Sequence, residues 1–515
     1  MINILLLFVF CTFLSAVTIH IAIKLANFYR IADHPGEHKQ HNESTPFVGG
    51  VGVFATLCAA FVVLINVYPD HKQQWLVLGI CSLIIFITGF VDDILQLAYK
   101  LRLIIQMVVA FIMVLAGGIV LEDLGGIFLG LPLQLGQFAI PFTVFAVIGG
   151  INIINMIDGI DGLSGSLSLV SFLLLAVVAY VGGDLANLFL IAALIGGVAG
   201  FLNYNLRYNL RYYSRSSARV FLGDNGSMLI GLLFAWLLVD LAQGINPAMR
   251  PVAAIWLLSI PLMDAISVMH RRIRMGSSPF KPDNNHLHHI LLKAGYRNEE
   301  VVFAIVSLHL MIGVIGLTGL YLGVHDFIMF LGFLLVYAGY FYLTLRPWHY
   351  IPALCFLHTR LRLTPIADCG IFTGKFTVIG AENLAMKISK EIRSRVDFWV
   401  QIFKQPSDGK QQRYALALNI RLPKDQPALD DKINRYITLL QQRLKKKYDI
   451  QLRQLAARAG DKGMRTSDDD DDNFGCLHLI DRRAVPRRCP GRRASYHRSL
   501  DSQVLVFEVT LFSEK

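Results

Sequence analysis

Residues 142–181 read FTVFAVIGGINIINMIDGIDGLSGSLSLVSFLLLAVVAYV. Two apolar runs meet at a short centre that holds Asn152, Asn155, Asp158 and Asp161 among Gly159, Gly162 and Gly165. Each run has the length, about twenty residues, that lets a helix cross a bilayer core of roughly 30 Å. The stretch therefore reads as two membrane spans whose ends join at a polar turn, and the rest of the chain repeats the pattern.

Apolar runs recur at 2–24, 48–68, 74–91, 103–120, 137–155, 162–182, 185–203, 226–243, 251–269, 301–323 and 326–345. With 54% hydrophobic and 17% charged residues in 515, the composition is too apolar for an ordinary soluble domain. The expected fold is an all-α polytopic membrane protein of about eleven transmembrane helices. The first run lacks a basic n-region and a small-residue cleavage site, and Lys24 follows it, so it is expected to stay as a span.

Basic residues set the expected orientation. Arg30 and Lys39, Lys100 and Arg102, Arg207, Arg211, Arg215 and Arg219, and then Arg271, Arg272, Arg274, Lys281, Lys293 and Arg297 fall in alternate loops; the other set holds Lys72 and Arg250. The first set is expected in the cytoplasm, with the N-terminus outside and the C-terminus inside. The net charge of +11 then suits anionic headgroups and phosphorylated substrates, and nucleic acid is not needed to explain it. The seven cysteines show no paired spacing, disulfide framework or zinc motif.

Five polar clusters fall on that cytoplasmic side: DHPGEHKQHNESTPFVGG (33–50), DDILQLAYKLR (92–102), NIINMIDGIDG (152–162), FLGDNGS (221–227) and KPDNNHLHHILLKAG (281–295). Each has a plain structural reading. Paired carboxylates end helices, GDNGS makes a turn or a helix cap, and a histidine run can be incidental or a weak metal tract. Their coincidence on one face is what argues for a site, because chance would spread them over both. Asp92, Asp93, Asp158, Asp161 and Asp224 offer hard oxygen ligands and Asn155 an amide carbonyl, a set suited to magnesium or manganese rather than zinc. Lys39, Lys100, Arg102 and the histidines supply donors for phosphate oxygens. Gly226–Ser227 opens a helix whose N-terminus is expected to attract phosphate. Carboxylates, a divalent ion and cations at one membrane face point to phosphoryl transfer onto a lipid-soluble acceptor.

In this order, DDILQLAYKLR, NIINMIDGIDGL, GDNGS and HLHH resemble the motifs of the polyprenyl-phosphate N-acetylhexosamine-1-phosphate transferase family, and HLHHILLKAG is most similar to its WecA-type branch. The resemblance covers roughly residues 1–345 and not 350–515. It implies transfer of N-acetylglucosamine-1-phosphate from UDP-GlcNAc to undecaprenyl phosphate in a bacterial inner membrane, for O-antigen or another surface polysaccharide. It further implies that Asn155 and Asp224 hold Mg2+ near the pyrophosphate, that Asp92 and Asp93 handle the lipid phosphate or support the metal, and that Asp158 and Asp161 shape the nucleotide pocket. His286 joins these four acids as a catalytic candidate. His288 and His289, with Lys39, Lys100 and Arg102, are candidates for substrate binding. The expected partners are UDP-GlcNAc, undecaprenyl phosphate, the lipid bilayer and a second copy of the chain as a homodimer. Another UDP-N-acetylhexosamine, or UDP-MurNAc-pentapeptide, stays open as the donor. A transporter would place its charges near the midplane on broken helices in two related halves; here the acids cluster at span ends, and no matching halves are seen.

The expected division is a transferase domain at 1–345 and a cytoplasmic extension at 346–515. Within the extension, Ile433, Tyr436, Ile437, Leu440 and Leu444 share one helical face over 427–447, the core side of a small domain or a membrane-surface helix. YALALNIRL (414–422) and QVLVFEVTLF (503–512) read as strands, giving a small α+β unit. The opposite charge blocks at Asp468–Asp472 and 482–498 read as a disordered connector.

Overall fold

The computed structural model describes residues 2–29, 45–206, 208–210, 213–215, 218–244, 247–274, 286–293, 296–345 and four strands between 397 and 512. Those residues fall into two compact units: one within 2–345, the other made of the four strands with 289–293 and 296.

The first unit opens with α1 (Ile2–Tyr29), α2 (Gly49–Val67), α3 (Lys72–Leu95) and α4 (Tyr99–Gly117), followed by α5 (Ala139–Ile157), α6 (Leu163–Val181) and α7 (Leu185–Asn205). After α7 comes a short antiparallel hairpin of β1 (Tyr208–Leu210) and β2 (Tyr213–Arg215), an exception to the all-helical expectation inside the arginine-rich loop. Next are α8 (Gly223–Asp240), α9 (Val252–Leu257), α10 (Ser259–Arg274), α11 (Leu287–Lys293), which from His289 on groups with the second unit, α12 (Asn298–Tyr321) and α13 (Asp326–Leu345). Among the described residues, nine helices are long and apolar enough to cross a membrane. The chain is a multi-pass membrane protein, and large apolar side chains such as Leu6, Phe13 and Phe145 face outward as they do toward lipid.

The remaining two expected spans behave differently. The run at 226–243 is α8, whose polar first turn, Gly-Asp-Asn-Gly-Ser, dilutes its hydropathy; it lies at the centre of the bundle against α2, α3 and α5. The run at 251–269 is broken at Leu258 into α9 and α10. Pro261 explains the break, because its ring displaces the carbonyl four residues earlier and it has no N–H to offer. That carbonyl, Leu257 O, accepts instead from Ser171 Oγ on α6 (2.9 Å). Ser171 Oγ in turn accepts from His309 Nε2 (2.9 Å), and His309 Nδ1 takes the hydroxyl of Ser259 (3.0 Å). The freed backbone groups are thus satisfied by side chains from neighbouring helices, as a membrane interior requires.

Glycines set how closely α8 is gripped. A Cβ on Gly89 of α3 would lie 2.4 Å from Asn225 Cα, and one on Gly231 of α8 2.6 Å from Ile151 Cα. Close backbone approach through small residues is how membrane helices associate without a hydrophobic drive between them.

The second unit holds an antiparallel sheet of β3 (Asp397–Gln405), β4 (Arg413–Arg421), β5 (Leu452–Ala457) and β6 (Val504–Phe512), in the order β3-β4-β6-β5. Its register pairs Val400 with Leu418 and Leu418 with Phe507. β4 and β6 answer the two expected strands within a residue or two. β3 and β5 are not expected from the sequence, although β3 is rich in the aromatic and β-branched residues that strands favour. The expected helix over 427–447 and both charge blocks lie outside the described residues.

Candidate active site

The site grows from the start of α8. A helix N-terminus leaves its first amides without intrahelical partners, and here a carboxylate from α3 takes them. Asp93 Oδ1 accepts from the Asp224 amide (2.9 Å), and Asp93 Oδ2 accepts from the Asn225 amide (3.2 Å) and from Asn225 Nδ2 (2.6 Å). Asn225 Nδ2 also donates to Phe47 O (2.9 Å), tying in the segment that precedes α2. The expectation that this helix end receives phosphate is therefore corrected: the chain's own Asp93 fills it.

Capped in this way, the helix presents Asp224 to two neighbours. Asn155 Nδ2 on α5 donates to Asp224 Oδ1 (2.7 Å) and to Ser227 Oγ (3.0 Å). Arg102 on α4 donates from Nη1 to Asp92 Oδ2 and, at 3.3 Å, to Asp224 Oδ2. Asp92 is buried and also accepts from the Leu97 amide (2.7 Å), which closes the α3–α4 turn. One turn along α5, Asn152 Nδ2 donates to Gln106 Oε1 of α4 (2.7 Å). Three carboxylates thus meet in one network: Asp92 and Asp224 share the guanidinium of Arg102, and Asp93 holds the amide of Asp224. Lys100, two residues away in the first turn of α4, is exposed.

The DGIDG turn forms a second layer. Asp158 caps the end of α5 and accepts from Ser164 Oγ (2.5 Å). Its own surface is only partly covered, yet the protein packed around it desolvates the carboxyl and pushes it up to about 7; the Ser164 hydrogen bond opposes the rise, and the charges of Asp93 and Asp161 add to it. Asp161 is buried and lines a cavity with Ser166, Leu206 and Glu299. Asn205, at the end of α7, accepts from the Gly162 amide (2.6 Å) and donates to Val220 O (2.8 Å), so it fastens this turn to the segment leading into α8.

The histidine segment meets the same turn. A Cβ on Gly159 would lie 2.6 Å from His288 Nε2, so a side chain there would push the ring aside. His288 stacks on His286 with centroids 5.5 Å apart. His286 Nδ1 lies 2.7 Å from Asp264 Oδ2 on α10. His289 follows in α11.

Of the residues singled out from sequence, the structure joins Asp92, Asp93, Arg102, Asn155 and Asp224 in one hydrogen-bonded group. It sets Asp158, Asp161 and His288 at the adjoining turn and His286 behind His288. Lys100 is at the edge, and Lys39 lies outside the described residues. Sequence reasoning missed Asp264 and Asn205. The first had a signal, a lone carboxylate inside an apolar run; the second had none beyond its place at a span end.

The donor set around Asp224 suits a hard divalent cation. Asp224, Asn155 and Ser227 offer side-chain oxygens, and an amide rotation of Asn155 exchanges its nitrogen for oxygen at the same point. Among the described residues no three of His, Cys, Asp or Glu form a metal cage by themselves. Magnesium does not ask for one, since it is usually held by one or two carboxylates together with substrate phosphates and water.

A family model for glycosyl transferase family 4 matches residues 75–242, which hold Asp92, Asp93, Asp158, Asp161 and Asp224. The chain is 34% identical over 343 residues to the undecaprenyl-phosphate alpha-N-acetylglucosaminyl 1-phosphate transferase of Salmonella typhi, covering 66% of this chain and 90% of that protein. The proteins of the same name from Yersinia pestis and Haemophilus influenzae are 35% and 34% identical, over 65% and 66% of this chain and 89% and 94% of their own. Relatives matched over nearly their whole length, with the acids of the site inside the matched region, leave one assignment: the chain belongs to glycosyl transferase family 4.

Proposed function

We propose that the chain transfers N-acetylglucosamine-1-phosphate from UDP-GlcNAc to undecaprenyl phosphate, giving undecaprenyl-diphospho-GlcNAc and UMP. The observation that carries this reading is the convergence of Asp92, Asp93, Arg102, Asn155 and Asp224, from four helices, at one end of an apolar bundle. The names borne by the relatives support the same chemistry.

An oxygen of the lipid phosphate attacks the sugar-linked phosphorus, the bond from that phosphorus to the bridging oxygen breaks, and UMP leaves with that oxygen. No net proton is consumed. Both reactants are anionic, and a site with three carboxylates and one guanidinium repels them. That imbalance is the physical case for a divalent cation. Asp224 and Asn155 would hold Mg2+, which when bound neutralises charge on the diphosphate. Arg102, released toward phosphate, offers a planar donor fork. Asp92 orients Arg102, and Asp93 fixes the first turn of α8 and with it Asp224. Asp158 and Asp161 shape the nucleotide side, and the histidines position the diphosphate. We place the site on the cytoplasmic face of a bacterial inner membrane, with the N-terminus outside, from the lysine and arginine bias of the loops.

The test offers purified protein a panel of UDP-sugars with undecaprenyl phosphate and follows UMP release. Release is expected with UDP-GlcNAc, and only when lipid phosphate and magnesium are both present. Release that ignores the lipid phosphate, or survives EDTA, rejects the reading; preference for another sugar redirects it. Cysteine labelling near residues 97, 160 and 220 from the outside would reject the orientation.

A further inference from the structure

Asp264 lies in α10 three residues beyond Pro261 and is 2% exposed, between Ile260, Met263, Ala265 and Val268, all essentially covered. A carboxylate in such surroundings is costly unless it is fully hydrogen-bonded. Its partners come from two parts of the unit, the histidine segment and α13. Oδ2 faces His286 Nδ1 (2.7 Å), and Oδ1 accepts from the Leu287 amide (3.1 Å) and from the Tyr340 hydroxyl on α13 (2.6 Å). An ionised carboxylate only accepts, so the proton on that edge of the imidazole belongs to Nδ1. His286 stacks on His288, which rests against Gly159 of the DGIDG turn. Nothing in the transferase chemistry requires an acid on α10, yet this one holds the histidine segment at both a ring and a backbone position.

We infer that Asp264 is a positioning residue of the transferase site: it fixes His286 with its proton on Nδ1 and so commits Nε2 to the substrate phosphate. Tyr340 completes the carboxylate's hydrogen bonds and sets its angle. The inference rests on the transferase reading, because it gives His286 a substrate to meet. Orientation of a ring by a buried acid fixes its tautomer, and the tautomer decides which nitrogen can donate or accept.

Asp264→Asn is the informative change. The amide can still accept from Leu287 and Tyr340 through its oxygen, but it turns an N–H toward His286 and drives the ring's proton to Nε2. In protein whose parent releases UMP, kcat is expected to fall about 100-fold, at the low end of what a positioned histidine contributes, with unfolding temperature near the parent's. Tyr340→Phe should lower kcat by only a few fold. The decisive comparison is the double variant: Asp264→Asn added to His286→Ala should cost nothing further, because an effect routed through His286 vanishes with it. Parental kcat in Asp264→Asn, or losses that multiply in the double variant, would overturn the inference. Should Asp264→Asn fail to fold, 15N-histidine spectra of the parent, with His286 assigned by its alanine variant, decide it: a protonated Nδ1 supports the positioning role and a bare Nδ1 defeats it. If the parent released no UMP the transferase reading would fall, while the spectra would still report on this contact.

Discussion

Both ends of the bundle carry buried polar networks, and they differ in how charge is balanced. At the end away from the site, Arg250 pairs with Asp326 at 2.7 Å and also donates to Val324 O (2.7 Å) and Leu320 O (3.3 Å). Asp326 in turn takes the Gly126 amide (2.9 Å). Beside it, Gln243 accepts from the amides of Glu122 and Asp123 and donates back to Asp123 O (2.9 Å). One cation meets one anion, and the amide is used on both sides. At the site end, Asp92 and Asp224 share Arg102, and Asp93 adds a third carboxylate on the Asp224 amide. The first arrangement is what a structure needs to close its own loops. The second is incomplete as electrostatics and becomes reasonable only with a cation and phosphates in place. Imbalance of charge in a network drawn from four helices, more than burial of charge, marks the functional end; the acid pair Asp184 and Asp240 at the far end meets at the amide of Asn187 alone among the described side-chain hydrogen bonds.

The largest expected effect breaks the comparison most directly. Asp224→Asn keeps shape and removes one charge, and turnover should fall by about 10²- to 10³-fold, as when one preorganised electrostatic group is lost, with the fold intact. Arg250→Met removes the cation of the balanced end. Arg250's side chain is 33% exposed, so solvent screens part of the loss; the variant should melt a few degrees lower and turn over within about twofold of the parent per folded molecule. Kinetics and thermal unfolding on both proteins decide the matter. Equal losses of turnover at the two ends would erase the distinction.

The unbalanced end was legible because polar residues in a greasy chain are expensive, and five clusters of them stood at span ends. Asp92, Asp93, Asn155 and Asp224 could be picked out by type and spacing alone. What spacing could not supply was pairing across the fold. Asp93 and the Asp224 amide are 131 residues apart, and nothing local says that one caps the other. Asp264 is hidden differently: by its hydropathy 251–269 reads as one span, and only Pro261 marks a break, so the acid behind it reads as part of a lipid-facing run. In the extension, alternation exposed β4 and β6, but the insertion of β6 between β4 and β5 is a long-range choice that no window of sequence contains.

A middle-sized effect should come from spacing rather than charge. Gly89→Ala puts a methyl 2.4 Å from Asn225 Cα and 2.5 Å from its amide nitrogen, both backbone atoms that cannot swing aside. α3 and α8 must separate, and the hydrogen bonds from the Asp224 and Asn225 amides to Asp93 lengthen with them. Turnover should drop about tenfold, since misplacing a site by a fraction of an ångström already costs that much. Gly79→Ala on the same helix meets only Phe61 at 3.5 Å and should behave as the parent. Parental turnover in Gly89→Ala would mean that the contact between α3 and α8 does not set the site.

The smallest effect sharpens the comparison by titration. Burial pushes the Asp158 carboxyl up to about 7 from an ordinary 3.8, against the pull of Ser164. The folded chain therefore keeps this proton up to about pH 7, while the unfolded chain has released it by pH 5. Between those limits the folded state binds more protons, so its stability falls as pH rises, and acidification from pH 8 toward 5 strengthens the fold through this group. Asp158→Asn removes the linkage. The parent's unfolding temperature in detergent, measured relative to Asp158→Asn, should rise by a few degrees as the pH is lowered through 7, and the two curves should run parallel above pH 8, where the carboxyl is ionised in both states. Arg250→Met keeps Asp158 and should keep the slope. Parallel curves for parent and Asp158→Asn across the whole range would show that the acids near the DGIDG turn carry no strain of desolvation, and that the site end is unbalanced only around Arg102.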